Sequence, residues 1–288
     1  MTIENIKKIA VIGAGTMGQG IAQVCALAGY TVMLYDIQPE LIRTAISTIR
    51  KTLESHVERG KITEQQKNEV IGRIEAAGDF RTLQIDLAIE AVIEKLEVKQ
   101  KIFSELEKLN GQDCILISNT SSISITLIAS ALKYPSRFAG LHFFNPAPAM
   151  KLVEIIRGAA TDESTINLLR DFSSKISKAS VLVKDSPGFI VNRVARHFYT
   201  ESLRILEDNV SDFKTVDQLM RATGFKMGPF ELMDLIGIDI NYAVTSSMFN
   251  SFHQDPKFRP SRIQQQKIEA GFLGRKSGKG FYTYQTKE

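Results

Sequence analysis

Short apolar runs alternate with amphipathic stretches from the N-terminus to about residue 184. Residues 9–12 are apolar and largely β-branched, the composition of a buried strand, and a glycine-rich turn follows them. Residues 17–28 then read as a helix stopped by Gly29, and residues 31–35 as a second strand ending at Asp36. From Pro39 to about residue 57, Leu41, Ile42, Ala45, Ile49 and Leu53 recur near helical spacing and predict a long helix. The charged stretch 59–67 predicts an exposed turn and a further short helix. Apolar strands recur at 87–91, 115–118, 138–143, 152–156 and 181–183, with a helical segment at 98–109 and the turn-rich Asn-Thr-Ser-Ser of 119–122 between them. Such alternation predicts an α/β fold, a Rossmann-type doubly wound and mostly parallel sheet with helices on both faces. After Asp185-Ser186-Pro187-Gly188 the pattern turns helical, with no convincing strand before the last few residues. The expected division is therefore a sheet domain over 1–185 and an all-helical domain over 186–288.

Composition removes several function classes. With 43% hydrophobic and 24% charged residues over 288 positions, the chain is ordinary globular material, neither disordered nor fibrous. Its formal charge of +4 is spread along the chain, and no basic run is interleaved with aromatics. A dedicated nucleic-acid surface is not expected on that pattern, whereas a mildly positive cleft suits a small substrate carrying several phosphates. Cys25 and Cys114 lie in apolar stretches and read as small buried hydrophobes of a reducing compartment, with no metal expected. The start moves directly into a first strand without a secretory segment, and no apolar run reaches 18 residues. A cytoplasmic protein that does not span a membrane is expected.

The sequence Gly13-Ala14-Gly15-Thr16-Met17-Gly18 is a G-x-G-x-x-G turn placed directly after a strand and directly before a helix. Each glycine has a task there: a tight turn, close approach of a pyrophosphate, and close helix–strand packing. Thr16 and Met17 then open the helix whose unpaired N–H groups would receive the anion. Asp36 stands at the end of the second strand, where a carboxylate can accept the hydroxyls of an adenosine ribose and would repel a 2′-phosphate, which favours NAD over NADP. The alternatives are a turn that merely needs glycine and, for Asp36, a cap ahead of the helix at Pro39.

The fingerprint fixes a cofactor and no reaction. Oxidation of a secondary alcohol needs a base for the hydroxyl proton, usually a histidine. Of four histidines, His56, His197 and His253 read as structural or surface residues. His142 ends a strand and precedes the turn Phe143-Phe144-Asn145-Pro146, at the sheet edge where open α/β folds bind ligands. Glu154 follows 12 positions later inside an apolar strand, where a buried carboxylate needs a partner. A pair of these two would orient the imidazole and stabilise its protonated form. Alternatively, His142 is a satisfied core residue.

At these residues the chain resembles the L-3-hydroxyacyl-CoA dehydrogenase family. The resemblance rests on residues 12–22 (IGAGTMGQGIA), 119–123 (NTSSI), 140–155 (GLHFFNPAPAMKLVEI), 185–193 (DSPGFIVNR), 227–234 (MGPFELMD) and 274–282 (GRKSGKGFY), in order over nearly the whole length. It implies NAD-dependent, reversible oxidation of an L-3-hydroxyacyl-CoA, with a short chain such as 3-hydroxybutyryl expected, by a monofunctional enzyme. It further implies that His142 is the base and Glu154 its orienting partner, and that Ser121 and Asn192 hydrogen-bond the reacting part of the substrate. By pattern alone, Ser121 would be a cap in the turn and Asn192 a polar residue near a helix start. Glu94, Lys99, Asn145 and Lys276 fall where the resemblance places the nicotinamide half of NAD. Thr52 and Arg59 align with the family's contacts to the CoA phosphates, with Lys51 or Lys61 as replacements in a region that departs from the family pattern. The helical domain is implied to form a homodimer. Two rival functions remain: a dehydrogenase of a free hydroxy or sugar acid such as L-gulonate on the same scaffold, and a non-catalytic NAD-binding sensor.

Overall fold

Buried on both faces from Ile9 to Ile12, the first strand, β1 (Lys8–Ile12), lies inside a single eight-stranded sheet. The computed structural model describes residues 2–285. The other strands are β2 (Thr31–Tyr35), β3 (Ile74–Ala76), β4 (Leu87–Glu90), β5 (Ile115–Ser118), β6 (Phe138–Phe143), β7 (Leu152–Arg157) and β8 (Ala179–Lys184). Their order is β3-β2-β1-β4-β5-β6-β7-β8, and every pairing is parallel except β6 with β7. Order reverses between β1 and β4, so a crevice opens beyond the carboxyl ends of those two strands. β4, β5 and β6 are buried at every position, which is why their sequences are continuous apolar runs with no alternation.

The helices of this part are α1 (Thr16–Leu27), α2 (Pro39–Glu58), α3 (Glu64–Gly72), α4 (Leu96–Asn110), α5 (Ile125–Ala129) and α6 (Glu163–Lys175). α1 and α2 pack Ile21, Cys25, Ile42, Ala45, Ile49 and Leu53 into the strand residues, and α6 adds Leu169 and Phe172. Burial of each such side chain contributes about 1.5–3 kcal/mol. Thr63 begins α3 by accepting from the Gln66 N–H at 3.1 Å, a capping box that the charged sequence there encodes locally.

The chain forms two compact units, Met1–Ser186 and Pro187–Glu288. The second contains α7 (Val191–Glu207), α8 (Phe213–Ala222), α9 (Pro229–Ile236), α10 (Ile238–Ser251) and α11 (Arg262–Glu269). Its core gathers Leu203, Phe230, Met233, Ile238 and Phe281. Two fully buried carboxylates knit it together. Asp217 accepts from the Phe230 and Glu231 N–H groups and from the Tyr282 hydroxyl at 2.8–3.0 Å. Asp234 accepts from the Phe281 and Tyr282 N–H groups and the Tyr284 hydroxyl, each at 2.9 Å. A Cβ at Gly280 would stand 2.0 Å from Asp234 Oδ1, so the glycine there serves close approach. Among the described residues no helix is long and apolar enough to cross a membrane.

Candidate active site

The turn between β1 and α1 lacks side chains where a ligand must approach. Gly13 adopts φ +102°, and a Cβ on it would lie 2.6 Å from the Ala91 carbonyl oxygen. A Cβ on Gly18 would lie 1.7 Å from the Gly13 carbonyl oxygen, so α1 can rest on the turn only with glycine there. Gly15 differs: nothing lies within 4 Å of the place its Cβ would take. Its missing side chain leaves open space at the head of α1, where no side chain caps the first N–H groups and no acidic residue repels an anion. Thr16 and Met17 form the first positions of that helix. Asp36 braces the turn, its Oδ2 accepting from the Ala14 N–H at 2.8 Å and its Oδ1 from the Gln38 N–H at 2.9 Å. Each carboxylate oxygen retains lone pairs for a ribose hydroxyl. These residues fit the adenosine and pyrophosphate of NAD.

His142 and Glu154 face each other across the one antiparallel pairing of the sheet. Directly opposed residues of such a pair carry their side chains on the same face. The twelve-residue spacing is thus a hairpin closed by residues 144–151. His142 Nδ1 lies 2.8 Å from Glu154 Oε2, with the two side chains 8% and 1% exposed. The Phe144 ring meets the imidazole edge-on at 4.6 Å between centroids. Asn119, not singled out from the sequence, accepts from the Phe143 N–H at 2.8 Å and so fixes the end of β6 beside His142.

Ser121 lies half-buried in the loop between β5 and α5. The helix cap is Ser124, whose hydroxyl accepts from the Leu127 N–H at 3.1 Å. Glu94 holds the loop from below: its Oε1 accepts from the Ser121 and Ser122 N–H groups at 3.2 Å, the Ser122 hydroxyl at 2.9 Å, and the Thr120 hydroxyl. Burial works to raise the Glu94 carboxyl, but Lys99 and these hydroxyls outweigh it and hold the group below its ordinary value. Lys99 is 1% exposed, with its ammonium 2.6 Å from Glu90 Oε1 and 3.0 Å from Glu94 Oε2. Glu90, also unanticipated, accepts in addition from the Val92 N–H and the Ser118 hydroxyl, each at 2.7 Å. The structure thus places Lys99 inside a buried ion cluster beneath the loop.

A cavity of about 430 Å³ opens between α1, α2 and residues 145–149. Thr52, Asn145, His56 and Lys61 line it, together with Gln23, whose buried Nε2 has no partner. Arg59 is not among the lining residues; it sits exposed on the turn that ends α2. Lys61 supplies the basic lining side chain instead, and His56 faces a cavity. In the second unit, Asn192 is the second residue of α7 and half-buried, and the Lys276 ammonium lies 2.7 Å from Asp239 Oδ2.

A doubly wound sheet with an open glycine turn and an acidic brace, and a histidine–glutamate pair at the same edge, defines a dinucleotide-dependent oxidoreductase. The family model for "3-hydroxyacyl-CoA dehydrogenase, NAD binding domain" matches residues 8–186, and that for "3-hydroxyacyl-CoA dehydrogenase, C-terminal domain" matches residues 188–284. The chain belongs to the 3-hydroxyacyl-CoA dehydrogenase family. It is 47% identical over 282 residues to a 3-hydroxyadipyl-CoA dehydrogenase of Escherichia coli, covering 97% of this chain and 59% of that protein. It is 42% identical over 281 residues to a 3-hydroxybutyryl-CoA dehydrogenase of Bradyrhizobium diazoefficiens, covering 97% of this chain and 96% of that one. The crystal structure of (S)-3-hydroxybutyryl-CoA dehydrogenase from Ralstonia eutropha superposes with a TM-score of 0.94 at 37% identity, covering 98% of this chain and all of that one.

Proposed function

We propose that this chain oxidises a short-chain L-3-hydroxyacyl-CoA, such as 3-hydroxybutyryl-CoA, to the 3-oxoacyl-CoA, reversibly and with NAD. The observation that carries the reading is the buried His142–Glu154 pair at the carboxyl edge of a sheet whose glycine turn fits NAD. Bound NAD supplies the hydride acceptor. His142 takes the proton of the 3-hydroxyl; with Nδ1 committed to Glu154, the nitrogen that receives it is Nε2. Glu154 is a positioning residue, holding the ring and balancing the imidazolium that forms. Ser121 and Asn192 are assigned to hydrogen bonds with the reacting part of the acyl group, where fixed donors hold developing charge on oxygen. Gly13, Gly15, Thr16, Met17, Gly18 and Asp36 are assigned to NAD, with Glu94, Lys99, Asn145 and Lys276 on its nicotinamide side. Of these, Glu94 and Lys99 have geometry that supports a role through the loop they hold. For the CoA phosphates, the cavity favours Thr52 with Lys61 over Arg59.

The NAD-binding role is assigned to residues 1–185, and substrate and dimer contacts to residues 186–288, in a cytoplasmic homodimer. Val194, Leu219, Phe225 and Ile240 of the second unit are each at least half exposed, apolar side chains of the kind that contact with a second copy would cover. Replacing His142 by Ala tests the reading. Removal of a catalytic base should lower kcat by about 10²–10⁴-fold while NADH affinity, measured by fluorescence titration, stays within a few-fold of wild type. Near-normal turnover would remove His142 from the chemistry.

A further inference from the structure

The first unit buries a cation that has no acid beside it and no part in the chemistry above. Lys178 stands between α6 and β8 and is 7% exposed. Its ammonium donates to the Ala147 and Met150 carbonyl oxygens, each at 2.7 Å. Burial lowers the ammonium below its ordinary value, and among the described residues no neighbouring carboxylate offsets that effect. The chain leaves α6 through Ser177 at φ +58°, and the Ser177 and Lys178 N–H groups turn back to the Ser174 and Ser173 carbonyl oxygens at 3.0 and 2.8 Å. Lys178 then directly precedes Ala179, which pairs with the first residue of β7.

The segment that Lys178 grips is the loop 144–151, which closes the His142–Glu154 hairpin. Of these residues only Ala147 is buried, so apolar packing does little to fix the loop. Residues 145–149 nevertheless form a wall of the cavity, and the Phe144 ring meets the imidazole of His142. On one side the loop rests on α1 at Gly20, where a Cβ would lie 3.1 Å from Pro148 Cδ and 3.2 Å from Ala147 Cβ. Lys178 holds it from β8. Closing the hairpin does not itself require a lysine, because the Ala179 N–H already donates to the Lys151 carbonyl oxygen at 2.7 Å. A buried ammonium costs free energy unless its donors are used, and here they join two carbonyls three residues apart within the loop. An apolar side chain would leave the buried Ala147 carbonyl oxygen unpaired. We propose that Lys178 is a positioning residue, whose ammonium fixes loop 144–151 and so sets the cavity wall and the place of Asn145 for the reaction. The inference rests on the proposed function, through the part given there to the loop. Lys178 itself takes no part in hydride or proton transfer.

The test compares wild type with Lys178→Met, similar in length, and with Lys178→Arg, which keeps the charge and the donors. Displacing a site by about 1 Å costs about 100-fold, so kcat/KM for acetoacetyl-CoA should fall by about 10- to 100-fold in Lys178→Met. A rise in KM for the ester should carry part of that fall, and Lys178→Arg should retain more of the wild-type value. Hydrogen–deuterium exchange supplies the local readout. The Ala149 and Met150 N–H groups both donate to the Pro146 carbonyl oxygen at 3.0 Å, and they should exchange faster in Lys178→Met while β1, β4 and β5 keep wild-type protection. If Lys178→Met does not fold, Lys178→Gln carries the same two expectations. Unchanged kcat/KM in a folded variant, even with a lowered Tm, overturns the proposal and leaves the proposed function standing. So does faster exchange spread evenly over the whole sheet. Absence of acetoacetyl-CoA turnover by wild type removes the proposed function instead, and the proposal with it.

Discussion

Lys99→Met isolates the ion cluster beneath the Ser121 loop. The change removes the ammonium that meets both Glu90 and Glu94 and leaves a side chain of similar length, so little cavity is created. Glu90, fully buried, is then left with only the Val92 N–H and the Ser118 hydroxyl as partners. Removing one partner of a buried ion pair costs about 3–5 kcal/mol, because the other charge stays buried. The Glu94 arm adds little to that figure, since its side chain is 37% exposed and water screens it. Against a total stability of about 5–15 kcal/mol this is a large loss, and at about 2–4 °C per kcal/mol it corresponds to a Tm lowered by about 6–20 °C. Calorimetry reads the Tm, and NADH titration of the same variant reads the cofactor. The reasoning expects a large fall in Tm, with the loss partly recovered in the double variant Lys99→Met/Glu90→Gln, where no charge remains stranded. A Tm within 2 °C of wild type together with much weaker NADH binding would refute it, because Lys99 would then act on the cofactor directly.

Two further outcomes follow from the same region of the sheet. Asp36→Ser removes the carboxylate that braces Ala14 and Gln38 and faces the expected ribose; NADH should bind more weakly, and the NADH/NADPH preference should fall. An unchanged ratio in parallel rate measurements would place the selectivity elsewhere. Glu94 carries a carboxyl held below its ordinary value of 4.5, so its ionised form contributes stability that is fully present above that pH and is lost as pH falls through the lowered value. Urea unfolding of wild type and Glu94→Gln should therefore differ at neutral pH and converge in acid, and a difference independent of pH would contradict the assignment.

What was legible in the sequence is what local chemistry dictates. The glycine turn could be read because each glycine answers a constraint within a few residues of itself, and Asp36 because the end of β2 fixes its distance from the turn. The strands holding His142 and Glu154 were legible as apolar runs. Their registration was not, since it depends on β7 running antiparallel to β6, a choice made by the sheet as a whole. β3 escaped notice because three residues, of which only Ile74 is buried, are too few to show a period. Glu90 carries no local signal, and only the arrival of Lys99 and Ser118 from other elements gives it a role. At the end of α2 the helix phase decides which basic residue reaches the cavity: Arg59 falls on the exposed turn, and the chain beyond it brings Lys61 to the wall. The roles of Asp217 and Asp234 were hidden for the same reason as that of Glu90: the donors to Asp217 come from the start of α9 and from Tyr282, and those to Asp234 from residues 281–284.

The central claim, a CoA-dependent dehydrogenase using NAD, is tested most directly by following NADH absorbance with acetoacetyl-CoA, beside free acetoacetate and beside NADPH. The account predicts rapid loss of NADH with the CoA ester alone and slow loss of NADPH. Activity on free acetoacetate with none on the ester would contradict it and move the chain to a dehydrogenase of free hydroxy acids.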